Sequence, residues 1–181
     1  MNTPVNIFLV GPMGAGKSTI GKRLAQIMGA DFVDSDREIE RHTGADIPLI
    51  FELEGEAGFR QRESQILDEL TQRSNIVLAT GGGSILQLYN QEMLQNRGKV
   101  VYLHATVAQQ LQRTRRDQNR PLLQTADPEK KLRELFEIRD PIYRRLAAVI
   151  INTDGRSIHS VSQEIIRKLN LGTSEKNDNE Y

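Results

Sequence analysis

Short apolar runs that stop at glycine or aspartate alternate along this chain with longer stretches in which apolar residues recur every three or four positions. Val5–Val10 is the first run, rich in β-formers and ended by Gly11, as expected of a parallel strand buried on both faces. Lys17–Met28 follows, with Ile20, Leu24, Ile27 and Met28 on one helical face and Gly29 as the stop. A second strand is predicted at about Phe32–Asp34, leading into a polar segment that opens at Asp36. Gly55–Arg73 spaces Phe59, Ile66, Leu67 and Leu70 for a helix with charges on its other side. Asn75–Thr80 reads as a third strand halted by Gly81-Gly82-Gly83, with Val100–Leu103 and Val149–Ile151 as the fourth and fifth. Helical spacing fills Val107–Arg113, Pro128–Leu146 and Ile158–Leu169. Strands alternating with helices predict an α/β fold of βαβ units, a parallel sheet covered on both faces. Ligands of such sheets bind beyond the carboxyl ends of the strands, where Gly11, Asp34 and Gly81 all fall.

Composition narrows the function classes. The 181 residues suit one compact domain, and 38% hydrophobic with 27% charged residues is ordinary for a globular protein. The 24 basic and 24 acidic side chains cancel, so neither nucleic acid nor an anionic membrane is an expected partner. Cysteine is absent, which excludes disulfides, thiolate metal sites and a cysteine nucleophile. The apolar runs are too short to span a bilayer, and Met1–Asn6 lacks the character of a secretory signal, so a cytoplasmic protein is expected. Gly172–Tyr181 is polar and aperiodic and is expected to be a disordered tail. No pattern suggests a large apolar interface, which leaves a monomer as the default expectation.

The sharpest chemical signal is Gly11-Pro12-Met13-Gly14-Ala15-Gly16-Lys17-Ser18, a full G-x-x-x-x-G-K-[ST] match placed between a strand and a helix. Glycines let backbone N–H groups converge on phosphate oxygens, and the helix N-terminus adds a favourable partial charge. Lys17 would reach the β- and γ-phosphates and the Ser18 hydroxyl would ligate Mg²⁺. No Asn-Lys-x-Asp guanine reader is present, and the third strand ends in Thr80 and glycines rather than an aspartate. The metal-side carboxylate must then come from Asp34-Ser35-Asp36, although Asp36 also reads as a helix N-cap. Taken singly, Arg60 reads as a solvated helix charge paired with Glu56 or Glu63, and Arg139, beside the kink or helix start expected at Pro141, is uninformative. Gly81-Gly82-Gly83 permits close ligand approach, and the basic cluster Arg113–Arg120 suggests a mobile lid that brings arginines to phosphates.

Together these residues resemble the shikimate kinase family from about Asn6 to Leu169. The carriers are GPMGAGKST at Gly11–Thr19, DSD at Asp34–Asp36, FRQRE at Phe59–Glu63, TGGG at Thr80–Gly83, RPLL at Arg120–Leu123 and RDPIY at Arg139–Tyr143. Only the first is shared with P-loop proteins at large. The resemblance implies a three-layer P-loop kinase fold with a five-stranded parallel sheet in the order 2-3-1-4-5. It also implies an acceptor-binding segment at about 37–62 and a lid at about 115–126 within a domain spanning 1–171. The implied reaction is transfer from ATP, with Mg²⁺, to the 3-hydroxyl of shikimate, a step of the chorismate pathway. By the same resemblance Gly14, Ala15, Gly16, Lys17, Ser18 and Thr19 hold the ATP phosphates, with Arg113 stacked on the base and Arg156 on the adenine side. Asp36, Arg60, Gly81, Gly82, Gly83 and Arg139 would hold shikimate, while Asp34 would hold Mg²⁺ through water. Lys17, Asp36 and Arg120 would carry catalysis. A kinase acting on gluconate or a nucleoside monophosphate, and a nucleotide-binding regulator without catalysis, are the competing readings.

Overall fold

The computed structural model describes residues 5–115 and 120–171. The expected tail at 172–181 and part of the expected lid, 116–119, lie outside the described residues. In chain order the elements are β1 (Ile7–Val10), α1 (Lys17–Met28), β2 (Asp31–Asp34), α2 (Ser35–Thr43), α3 (Ile47–Thr71) and β3 (Ile76–Ala79). They continue as α4 (Leu88–Arg97), β4 (Lys99–His104), α5 (Val107–Thr114), α6 (Pro128–Leu146), β5 (Val149–Asn152) and α7 (Ile158–Lys168). Single 3₁₀ turns cover Ser84–Leu86 and Pro121–Leu123.

The strands form one parallel sheet in the order β2-β3-β1-β4-β5, as the resemblance implied. Strand periodicity divides the core into two layers. Phe8 and Val10 turn to one face of β1 and pack with Leu67, Leu94 and Tyr143 from α3, α4 and α6. Ile7 and Leu9 turn to the other and pack with Leu24 and Ile165 from α1 and α7. Each fully buried side chain of this size stabilises the fold by about 1.5–3 kcal/mol, which explains the near-continuous apolar run.

Register brings the chemistry together. Leu9 pairs with Ala79 and Asp34 also pairs with Ala79, so the carboxyl ends of β1, β2 and β3 lie side by side. The phosphate loop, the Asp34–Asp36 turn and the triple glycine all leave the sheet at the carboxyl ends of its strands.

Several local expectations are corrected. Asp34, in extended backbone, is the N-cap of α2: its carboxylate accepts from the N–H groups of Asp36 (3.0 Å) and Arg37 (3.4 Å). Asp36 lies inside the first turn, so its side chain is not spent on capping. Pro141 neither ends nor begins a helix, because α6 runs through it to Leu146. The helix expected from Gly55 does start there, because α3 is two helical segments interrupted at Gly55, whose φ of 69° is open to glycine but strained for other residues; the segment from Ile47 that precedes it was not expected. Helix α4 went unpredicted: Met93 and Leu94 are buried but Leu88 and Tyr89 are exposed, so no clean apolar stripe marks it.

Candidate active site

The loop from Gly11 to Gly16 folds tightly because its glycines have no Cβ. At Gly11 a Cβ would lie 2.4 Å from the Leu103 carbonyl oxygen, and Gly16 caps α1 at φ 90° with no side chain covering the first N–H groups. These N–H groups remain directed at the space above the loop, where a phosphate chain is favoured. Lys17 donates to the carbonyls of Gly11 (2.7 Å) and Pro12 (2.9 Å). Burial, then the nearby Arg120, pushes its ammonium down to about 7. A polyphosphate beside it would restore the charge.

Ser18 Oγ donates to Asp34 Oδ2 at 2.7 Å, while Asp34 Oδ1 holds the α2 cap. One carboxylate thereby ties the phosphate loop to the start of α2. A hydroxyl and a carboxylate side by side are hard oxygen donors of the kind Mg²⁺ takes together with water and phosphate oxygens, so these residues fit that ion.

Two cavities meet here. The larger, about 390 Å³, is lined by Gly14, Gly16, Lys17, Ser18 and Thr19 with Asp34 and Arg37. The smaller, about 70 Å³, is lined by Met13, Phe51, Phe59, Arg60, Glu63, Leu122 and Arg139. Asp36, Ile47, Gly81, Gly82 and Arg120 line both. A group held in one cavity therefore faces a group held in the other across Asp36 and Arg120.

The smaller recess is built from buried charge. Arg60, 8% exposed, is not the solvated charge its local sequence suggests: it pairs with both Glu63 (2.8 Å) and Glu56 (3.2 Å). Arg139 is 4% exposed. Asp36 Oδ1, Glu63 Oε1 and the Nε atoms of Arg60 and Arg139 are buried without a hydrogen-bond partner. Buried polar atoms are rarely left so, and four around one recess point to a polar ligand. Gly81 and Gly83 let charged side chains approach the backbone closely: a Cβ at Gly81 would lie 2.6 Å from Glu63 Oε1, and one at Gly83 would overlap the Arg60 guanidinium unless it moved. Burial, then the Asp34 charge, raises the Asp36 carboxyl above its ordinary range, against the pull of Arg120, Lys17 and Arg60.

Burial also pushes Glu63 up to about 7 from an ordinary 4.5, with Arg60 pulling the other way. The folded state therefore holds this proton to higher pH than the unfolded chain does. The stability so gained is full below pH 4.5 and lost as pH rises through about 7. Glu63→Gln should flatten the pH dependence of denaturant-induced unfolding over that window, by up to about 3 kcal/mol across it. Equal slopes for wild type and variant would show that Glu63 stays ionised throughout.

The two residues expected on the base side, Arg113 and Arg156, lie farther out. Arg113 donates to the carbonyls of Gly14 (2.7 Å) and Thr153 (3.3 Å), clamping the phosphate loop to the turn after β5. Arg156 is engaged by Glu164 (2.5 Å) and Ser160 Oγ (2.8 Å), and neither arginine lines the two cavities just described. Met13, Phe51, Phe59 and Leu122, which wall the smaller recess, carried no local signal in the sequence, since each reads as an ordinary apolar position.

A phosphate loop at the switch point of a 2-3-1-4-5 parallel sheet, with a charged recess across its shared wall, defines a P-loop kinase. Comparison with known proteins narrows the class. The shikimate kinase family model matches residues 13–170, and the chain belongs to that family. Shikimate kinase of Acinetobacter baumannii (strain AYE) is 58% identical over 162 residues, 90% of each chain. That of Acinetobacter baylyi is 56% identical over 166 residues, 92% of each chain. A solved structure of shikimate kinase from Acinetobacter baumannii in complex with shikimate superposes with a TM-score of 0.91 at 57% identity, covering 92% of this chain and 93% of that one. A gluconokinase from Sinorhizobium meliloti, at 17% identity and a TM-score of 0.63, shares the fold alone. Among the described residues no helix is long and apolar enough to cross a membrane.

Proposed function

We propose that this protein transfers the γ-phosphoryl group of ATP to the 3-hydroxyl of shikimate, giving shikimate 3-phosphate and ADP. The observation that carries this reading is the shared wall: Asp36 and Arg120 border both the phosphate-loop cavity and the recess lined by Arg60 and Arg139. Two buried arginines suit a carboxylate, and a carboxylate between the cavities suits a hydroxyl that must lose a proton. Shikimate offers one carboxylate and three hydroxyls, and the solved relative in complex with it is 57% identical.

In this reading Gly14–Thr19 hold the ATP phosphates through backbone N–H groups, Lys17 follows the transferring group, and Arg120 faces it from the far side. Ser18 would hold Mg²⁺ directly and Asp34 through water; the ion neutralises phosphate charge when bound. Arg60, Arg139 and the Gly81–Gly83 backbone hold the acceptor, and Asp36 orients its 3-hydroxyl and takes the proton. Asp36 is raised by burial yet faces Arg120, Lys17 and Arg60, a balance that suits a base needed only as the bond to phosphorus forms. Arg113 and Arg156 are assigned to the base side, Arg113 through its grip on Gly14. Residues 37–62 are assigned to binding the acceptor, and the described part of the lid segment, 120–126, to covering the phosphates.

The product decides the matter: phosphorus NMR of the reaction mixture should show a single new phosphomonoester coupled to the 3-position proton of shikimate. A product phosphorylated elsewhere would refute the assigned geometry. Arg120→Ala should lower kcat by about 10²-fold with the shikimate KM changed less than about threefold, because its charge is needed most in the transition state. A change confined to KM would move Arg120 to ground-state binding.

A further inference from the structure

A loop of consecutive glycines has no side chains of its own to hold it, and glycine gives up more backbone freedom on ordering than any other residue. The backbone bonds of Gly81–Gly83 show what holds it. Gly81 N–H donates to Ser35 Oγ (3.1 Å), the Gly81 carbonyl accepts from Ser84 N–H (3.1 Å), and the Gly83 carbonyl accepts from Leu86 N–H (3.1 Å). The Gly82 carbonyl is held differently, accepting from the phenolic hydroxyl of Tyr143 on α6.

Tyr143 is placed for this by helix spacing. It lies four residues after Arg139, so both side chains share one buried stripe of α6. Its ring stacks on Tyr102 with centroids 4.9 Å apart. Burial raises its pKa well above the ordinary phenol range, so the hydroxyl stays a donor. The position a Gly82 Cβ would take is 3.5 Å from Arg139 Nη1 and 3.6 Å from the Tyr143 hydroxyl, so arginine, phenol and peptide meet at one point. In a trans peptide the carbonyl of one residue and the N–H of the next point oppositely. Holding the Gly82 oxygen on the α6 side therefore fixes the direction of the Gly83 N–H as well.

We infer that Tyr143 is a positioning residue for the acceptor: it pins the Gly82–Gly83 peptide and steadies Arg139, so that glycine N–H groups and guanidinium are presented to the acceptor's carboxylate already in place. Tyr143 does not line the acceptor recess itself and acts through the groups that do. This rests on the assignment of that recess to shikimate.

Tyr143→Phe removes the hydroxyl and keeps the ring on Tyr102. Tyr102→Phe is the matched control, since it deletes a buried hydroxyl that bonds Asp140 (2.6 Å) and leaves the glycines alone. Both should lower the melting temperature by a few degrees. Tyr143→Phe should raise the shikimate KM, and the shikimate Kd measured by calorimetry without nucleotide, by about tenfold. Its kcat should stay within about threefold of wild type and its Mg·ATP KM within about twofold. Tyr102→Phe should leave the shikimate KM within about twofold. The inference is overturned if Tyr143→Phe leaves shikimate affinity unchanged, if ATP affinity falls in parallel, or if Tyr102→Phe weakens shikimate equally. Wild-type enzyme that does not turn over shikimate would instead sink the assignment of the recess, and this inference with it.

Discussion

Asp36→Asn is expected to lower shikimate turnover by about 10³-fold or more while leaving Mg·ATP affinity within about threefold of wild type. The variant keeps shape and removes one property, the capacity to take a proton. Asp36 Oδ1 is buried with no partner, and the carboxylate stands on the wall between the two cavities. General-base positioning contributes about 10²–10⁴-fold. Asparagine also turns an acceptor into a donor and loses the attraction of Arg120, Lys17 and Arg60, so the upper part of that range applies. Helix α2 should be unaffected, because its cap belongs to Asp34. Kinetics with nucleotide titration and circular dichroism check all three points. A collapse of ATP binding would instead place Asp36 among the groups that hold the metal.

Arg60→Ala should have the second largest effect, a loss of about 10²–10³-fold in kcat/KM for shikimate, carried mainly by KM. The side chain is held between Glu63 and Glu56, and its Nε is still unpartnered. A bidentate arginine–carboxylate contact is stronger than a neutral hydrogen bond and demands the planar fork, so Arg60→Lys should recover little. Removing Arg60 also strands the buried Glu63 carboxylate. The folded state should respond by protonating Glu63 at still higher pH, and the variant should be less stable at pH 8 than at pH 5. Steady-state kinetics with both substrates, paired with denaturation at those pH values, separates lost binding from lost folding. An unchanged KM would show that the acceptor's carboxylate lies elsewhere.

How much of this was legible in the sequence depended on how local the cause is. The central strands were readable because Ile7–Val10 and Ile76–Ala79 are buried on both faces and bounded by glycine or polar turns. Helix α1 was readable to the residue, since the phosphate-loop motif opens it and Gly29 at φ 64° closes it. Helix α4 was not, because Asn90 and Gln91 are buried by bonding to the Ser84 and Ile85 carbonyls, a contact no apolar pattern announces. The choice between Asp34 and Asp36 as helix cap turns on backbone angles that two aspartates in one turn do not reveal. Arg60 looked like a solvated charge and Arg139 carried no signal of its own, because their burial comes from packing α3 and α6 against the turn after β3. Only the ordered set of motifs, through family resemblance, placed them together in advance. Glu63 and Tyr143 stood within those motifs, three residues after Arg60 and four after Arg139, and helix spacing was the signal that could have assigned them.

The most direct measurement is initial-rate ADP release from Mg·ATP with shikimate, gluconate or AMP as acceptor, against a no-acceptor baseline. Release should rise at least about 10²-fold with shikimate and stay near baseline with the others. Preferred turnover of gluconate or AMP, or ATP binding with no acceptor-dependent release at all, would contradict the assignment of the recess to shikimate.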